Sequence, residues 1–286
     1  NLFCYYTLPV ENNLSWDYLT FIIEEGKKRN IGIHPIICPG HEVNLEKAMA
    51  EHPDWLIRKL NGDVYPAYNM AIPEVRQYWL SRISEAMKYD IAGIHLDYIR
   101  YPVNQMFSYD SITCSAFREK YGFTPVEVAH DGGSIIWCEW IEWNMDQVSA
   151  LVKDVHNMIK ESGKPILLGA DVFPDPYESE IEIGQSWQTW AADSIIDFVC
   201  PMLYTDSVTL FARYLDKALI AADDRCKVYP GIGIFSYHNK ITPEILIDEI
   251  QTARDMNAGG VVFFSGNSLN DRFIDTLSCT VFKPAK

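Results

Sequence analysis

Basic side chains are scarce in this sequence: 24 lysines and arginines stand against 39 aspartates and glutamates, a formal charge of −15 in 286 residues. Lys and Arg supply most of the affinity for phosphate backbones and anionic headgroups, so nucleic acid and membrane surfaces are not expected partners. No apolar run approaches the roughly 18 residues that cross a bilayer, and no signal-peptide pattern is present, so no membrane insertion is expected. None of the seven cysteines falls in a C-x-x-C pair, which excludes zinc ribbons and thioredoxin-like motifs. Cys4, Cys38 and Cys200 sit in apolar, strand-like runs where a buried free thiol is the expected state. A glycine-rich phosphate turn is also missing: the first two strand candidates are followed by Leu8-Pro9-Val10-Glu11 and Pro39-Gly40-His41-Glu42. That argues against a doubly wound dinucleotide-binding sheet.

What is present is apolar and aromatic. The chain is 48% hydrophobic and 22% charged, enough to bury a large core, and its length suits a single α/β barrel of roughly 250 residues. Aromatics make up 13%, with 8 Trp, 16 Tyr and 13 Phe. Aromatic faces cover the apolar faces of sugar rings, so this abundance points toward carbohydrate, although most individual rings serve as core filler.

Short Val/Ile/Leu/Phe runs alternate with longer amphipathic stretches, and no Pro/Ser-rich linker or charge block divides residues 1–286. The strand candidates are Leu2 to Thr7, Ile31 to Cys38, Ala92 to Ile99, Ile166 to Phe173, Asp197 to Tyr204, Lys227 to Ile234 and Gly260 to Ser265. Helical stretches run from Trp16 to Arg29, Pro73 to Lys88, Trp137 to Glu161, Ser186 to Ser194, Leu210 to Ala222 and Pro243 to Asn257. Continuous apolar strands each followed by a helix predict right-handed βαβ units in a parallel sheet covered on both faces. The expectation is one domain, a (β/α)₈ TIM-type barrel. Only seven strands are counted, so either one strand is unrecognised or the first βα unit lies upstream of Asn1.

In such a barrel, reactive groups stand where strands end and βα loops begin. In Gly93-Ile94-His95-Leu96-Asp97, a side-chain period of two puts His95 and Asp97 on one face and the apolar residues on the other, so His95 and Asp97 point into the barrel mouth. Asp97 needs partners there, and Arg100 and His95 are near enough in sequence to supply them. The competing reading is an Asp that pins its own loop through Arg100. Asp171 and Asp206 end the next two strands, and His34 and Glu42 flank the end of Ile31 to Cys38. Two carboxyls are what glycoside hydrolysis requires: one donates a proton to the leaving oxygen, and the other attacks the anomeric carbon or activates water. Asp171 and Asp206 serve equally well as loop caps, and Glu42 better as one.

The run Ala92-Gly93-Ile94-His95-Leu96-Asp97-Tyr98-Ile99-Arg100-Tyr101-Pro102 resembles the signature of the bacterial glycosyl-hydrolase-like family 10, which is distinct from the family 10 xylanases. Further similarities lie at Lys28 through His34, at Asn69 with Pro73-Glu74-Val75-Arg76, at Gly184-Gln185-Ser186-Trp187 with Trp190, and along Ile196 through Asp206. The resemblance implies a (β/α)₈ barrel with glycosidase activity, bacterial cell-wall glycan among the substrates, and a secreted, periplasmic or cell-surface location. It also implies a strand and helix ahead of the segment starting at Asn1. Asp97 matches the family's strand-end Asp.

The leading expectation is a cofactor-free glycoside hydrolase, retaining or inverting, that uses Asp97 with Asp171 or Asp206 on an oligosaccharide or polysaccharide. His34, His95 and Tyr204 are expected to bind sugar hydroxyls or orient the acids, and Arg100 to keep Asp97 ionised. Trp187, Trp190, Phe235 and Tyr237 are candidate stacking rings, each with packing as the alternative. Asn69, Tyr101 and Glu42 complete the expected substrate contacts. The alternatives are a non-catalytic carbohydrate-binding protein on a degenerate barrel and a metal-dependent hydrolase. The second is disfavoured because no H-x-H or H-x-x-x-H pair supplies closely spaced imidazoles, so no metal is expected.

Overall fold

The computed structural model describes residues 2–7, 17–127, 134–235 and 239–282. It divides into two compact units, Asn1–Ala170 with Tyr177–Ser186, and Asp171–Pro176 with Trp187–Lys286.

The first unit runs β1 (Leu2–Thr7), α1 (Tyr18–Lys28), β2 (Ile31–Ile37), α2 (Leu45–Glu51), β3 (Leu56–Arg58), β4 (Val64–Tyr68), α3 (Pro73–Ala86), β5 (Gly93–Leu96), α4 (Ser111–Tyr121), α5 (Ile135–Ser162) and the start of β6 (Leu167–Val172). It also holds most of α6 (Pro176–Ile183). Its main sheet is parallel in the order β1-β2-β5-β6, with Tyr5 opposite His34, Ile36 opposite His95 and His95 opposite Gly169. Helix α3 starts at Pro73 as expected, while α1 and α5 start within two residues of the expected position. Asp17 caps α1 by accepting from the Thr20 N–H at 3.1 Å, and Pro73 occupies the first turn of α3, where its missing N–H costs nothing. Gly26 lets α1 close onto β2, since a Cβ there would lie 2.7 Å from the Ile31 carbonyl oxygen. The antiparallel β3–β4 hairpin is an insertion after β2. The 28-residue α5 buries Trp137, Trp140 and Trp143 and ends at left-handed Gly163.

The second unit takes the last residues of β6, then α7 (Trp187–Ala192), β7 (Phe198–Pro201), α8 (Val208–Ala222), β8 (Lys227–Val228), β9 (Gly231–Gly233), α9 (Pro243–Asp255), β10 (Val262–Phe264) and α10 (Asp271–Cys279). The Val172 carbonyl accepts from the Met202 N–H at 2.9 Å, and β7 pairs in parallel with β8. The strand expected over Lys227 to Ile234 is broken in two. Pro230 has no N–H to give a ladder, and the partner changes there: β8 pairs with β7, while β9 pairs with β10. Inside this unit the buried Asp175 carboxylate is paired with Lys217 of α8. No helix among the described residues is long and apolar enough to cross a membrane.

Candidate functional site

In the first unit, His34 of β2 lies beside Gly93 and His95 of β5. A Cβ on Gly93 would lie 2.3 Å from the His34 ring, so glycine makes room for that imidazole. His34 and His95 are fully buried. Burial, and secondarily the neighbouring His95, depresses His34 to about 3, so it is neutral at ordinary pH. Asp97 lies just past β5 and is half-buried; its Oδ1 accepts from the Tyr98 N–H at 2.7 Å. Tyr98 has φ +49°, its ring lies 4.7 Å from the Arg100 guanidinium, and the His41 ring meets its edge at 4.6 Å. Arg100 donates to the Tyr101 carbonyl at 3.1 Å and interacts electrostatically with Asp97. The β3–β4 hairpin brings in Tyr65, whose hydroxyl donates to Glu42 Oε1 at 2.7 Å. Burial first, then that bond, pushes the Tyr65 phenol up to about 12. Asp97, Tyr98, Arg100, Glu42 and Tyr65 thus form one electrostatically linked cluster.

Asn69 and Tyr101 take no part in it. Both are fully buried: the Tyr101 hydroxyl donates to Asn69 Oδ1 at 3.1 Å, and Asn69 Nδ2 donates to Asp110 and Thr113 at 2.8 and 2.7 Å. Their polar atoms tie the loop after β5 to the start of α4, and this internal bonding replaces the expected sugar contacts with structural ones.

In the second unit, Asp171 lies at the end of β6 with its carboxylate within 4.8 Å of the Cys200 thiol. Tyr204 and Asp206 follow β7, Tyr204 half-buried and Asp206 exposed. The Tyr204 ring stacks on Phe264 at 5.4 Å and 19°, and it rests on Gly233, where a Cβ would come within 3.1 Å of the ring. Phe264 and Phe235 are 49% and 58% exposed, so both leave ring surface to solvent. Trp187 and Trp190 are fully buried on α7 and present no face for stacking. Tyr237 lies outside the described residues.

Residues 6–241 match the family described as Glycosyl hydrolase-like 10. The chain belongs to this family. It is 27% identical to glycosyl hydrolase YngK of Bacillus subtilis (strain 168) over 94% of its own residues, and it spans 58% of that relative's length. The glycoside hydrolase domain of PgaB (BpsB) from Bordetella bronchiseptica superposes with a TM-score of 0.70 at 12% identity, covering 92% of this chain and 79% of that domain. A β-galactosidase from the psychrophilic Marinomonas ef1 gives a TM-score of 0.64 at 13% identity, covering 91% of this chain and 49% of the other. The fold is therefore the parallel α/β type of the TIM-barrel glycoside hydrolases.

In this glycosyl hydrolase-like 10 chain, Asp97 is a half-buried strand-end carboxylate bonded by the Tyr98 N–H and facing the Arg100 charge. Two residues not singled out from the sequence are Tyr65 and Glu249, one in each unit. Tyr65 sits in a hairpin whose turn, Asn61-Gly62, is a legible signal, with Gly62 at φ +88°. Glu249 of α9 was also missed. It lies on the buried stripe Leu246, Glu249, Ile250 and Ala253, and neither carboxyl oxygen has a hydrogen-bond partner among the described residues. A charged residue within an apolar stripe is the signal that could have found it. Burial, reinforced by the Asp206 charge, pushes Glu249 up to about 8. Fully buried, it is a neutral interior acid rather than a group that meets substrate.

Proposed function

We propose that the chain hydrolyses glycosidic bonds of a polysaccharide or bacterial cell-wall glycan, with Asp97 as the ionised carboxylate of a two-carboxyl mechanism. The observation that carries this reading is the setting of Asp97: past a parallel strand, half-buried, bonded by a backbone N–H and faced by Arg100. Both interactions favour the charged form, which is what a nucleophile, or a base acting on water, requires. The exposed rings of Phe264 and Phe235 and the half-buried Tyr204 support carbohydrate as the substrate class, since flat apolar faces at strand ends suit sugar rings. In this reading the barrel is of the eightfold type, no metal or other cofactor takes part, and the protein works outside the cytoplasm or at the cell surface.

The test is a screen of peptidoglycan, stripped cell-wall glycan and plant or host polysaccharides with product analysis, run on the wild type and on Asp97→Asn. New reducing ends that vanish in Asp97→Asn support the reading. Binding without cleavage by both proteins would instead make this a carbohydrate-binding member of the family. Among active proteins, the anomeric form of the first product decides between retention and inversion.

A further inference from the structure

Tyr98 occupies the left-handed region at φ +49°, a strained conformation for a non-glycine residue that persists only where the surroundings over-determine it. Here they do, from three sides. The Tyr98 carbonyl accepts from the Gly40 N–H at 2.8 Å. Its ring lies 4.7 Å from the Arg100 guanidinium and meets the His41 ring in a T-shaped contact at 4.6 Å. Gly40 itself is pressed so close that a Cβ would lie 2.2 Å from the Arg100 oxygen and 2.5 Å from the Tyr98 oxygen. The residue clamped in this way is the one whose N–H meets the Asp97 carboxylate at 2.7 Å.

We infer that Gly40, His41 and Arg100 form a clamp that holds Tyr98 in its strained conformation, so that its backbone N–H fixes the Asp97 carboxylate. Gly40, His41 and Tyr98 are positioning residues: they act on the reaction through Asp97, and to that extent the inference rests on Asp97 being the reacting carboxylate. The only substitution Gly40 tolerates without parting the loops after β2 and β5 is none at all, because the atoms a side chain would meet are backbone oxygens. A charge-assisted N–H bond stabilises the ionised carboxylate as well as aiming it. Loosening the clamp therefore has two signatures, a misplaced carboxylate and a raised midpoint for its ionisation. Within this unit the other groups near the cluster are Arg100, which favours the charge on Asp97, and Glu42, Tyr65 and Cys38, which border Tyr98 or Arg100.

The experiment follows the Asp97 carboxyl by ¹³C NMR titration in carboxyl-labelled protein, with Asp97→Asn identifying its resonance, and measures kcat and KM on the glycan found by the screen. Gly40→Ala tests the clamp. His41→Ala loosens one side of it, with His41→Phe restoring a ring edge. Gly122→Ala, at φ +87° with no atom within 4 Å, is the control for backbone strain elsewhere in the same unit. Gly40→Ala is expected to raise the Asp97 midpoint by about half a pH unit or more and to lower kcat about tenfold or more, with KM within about twofold. His41→Ala moves both in the same direction by less, His41→Phe recovers them, and Gly122→Ala moves neither. Unchanged Asp97 midpoint and kcat in a folded Gly40→Ala protein overturn the inference. If that variant does not fold, the His41 pair decides by the same criterion. A midpoint shift in a protein that cleaves no glycan leaves the clamp standing and removes the hydrolase reading. Activity that depends on Asp97 but ignores the clamp variants does the reverse.

Discussion

The two units differ in how they hold the candidate polar and aromatic groups near their strand ends. In the first, three candidate polar groups are held by bonds within the chain: Asp97 by the following Tyr98 N–H, Glu42 by Tyr65, and Asn69 by Asp110 and Tyr101. In the second, Asp206 is exposed and the rings of Phe235 and Phe264 leave half their surface uncovered. Chemistry needs a carboxylate held to a fraction of an ångström, because an error of about 1 Å costs on the order of a hundredfold in rate. Stacking on a sugar needs an available face and tolerates small displacements. Under the proposed function, the held groups of the first unit suit chemistry and the open rings of the second suit contact with a sugar. Their buried ionisable groups are opposite too, His34 held neutral against protonation and Glu249 held neutral against ionisation.

The largest effect should come from breaking the rigid side. Asp97→Asn keeps the shape and removes the charge, so turnover should fall by roughly three orders of magnitude or more with the melting temperature nearly unchanged. Asp206→Asn, at an exposed position, should lower turnover far less unless it supplies the second carboxyl, and Asp171→Asn asks the same question of the end of β6. If Asp97→Asn retained activity, or mainly unfolded the protein, the division between the units would lose its chemical meaning.

Next come the two buried groups, which give stability opposite pH slopes. Glu249 has a folded value near 8 against 4.5 unfolded, so between those values the unfolded chain releases a proton that the folded chain keeps. Its contribution is fully present below about pH 4.5 and is lost as pH rises toward 8, by on the order of 3–4 kcal/mol. Glu249→Gln should therefore raise the urea midpoint at pH 8 and leave it nearly unchanged at pH 4. Equal effects at both values would show that packing, not ionisation, decides. His34 runs the other way, with a folded value near 3 against 6.5, so stability is lost as pH falls from about 6.5. By pH 4 the loss should be on the order of 3 kcal/mol, and His34→Gln should flatten that limb of the stability profile.

The sequence reveals the two units unequally, for physical reasons. Parallel strands and their covering helices are continuous apolar runs and amphipathic stripes, so β2, β5, β6 and β7 and helices α1, α3, α5, α8 and α9 could be located to within a few residues. The same runs locate His95 inside β5, fully buried, and Asp97 just past its end, half-buried. Missed were the short or inserted elements: α2, the β3–β4 hairpin, α4, α6 and α10. Even so, Asp110 before α4 and Gly122 after it carry ordinary cap signals, the latter at φ +87°. Asn69 and Tyr101 look like ligand contacts in sequence, because only tertiary structure brings Asn69 to Asp110, 41 residues away. Burial likewise hides the difference between Trp187 and Phe264: both are large aromatics near strand ends, yet one is fully enclosed and the other half open. The strain at Tyr98 has no sequence signal, since tyrosine is not a residue chosen for φ > 0.

The smallest expected effect tests the open side. Phe264 touches Tyr204 on one face and solvent on the other, so truncating it removes contact area without leaving a sealed cavity. Phe264→Ala should raise KM several-fold, about 1 kcal/mol of lost stacking, with kcat within about twofold of wild type. Phe264→Trp should keep or lower KM, because a larger ring offers more face to a sugar. Trp187→Ala is the contrasting substitution. Its ring is enclosed, so it should cost on the order of 3–5 kcal/mol of stability, and KM should stay near the wild-type value at temperatures where the variant is folded. If Phe264→Ala instead lowered kcat with KM unchanged, the ring would be serving the transition state. The second unit would then hold part of the reaction centre, not only a surface for binding.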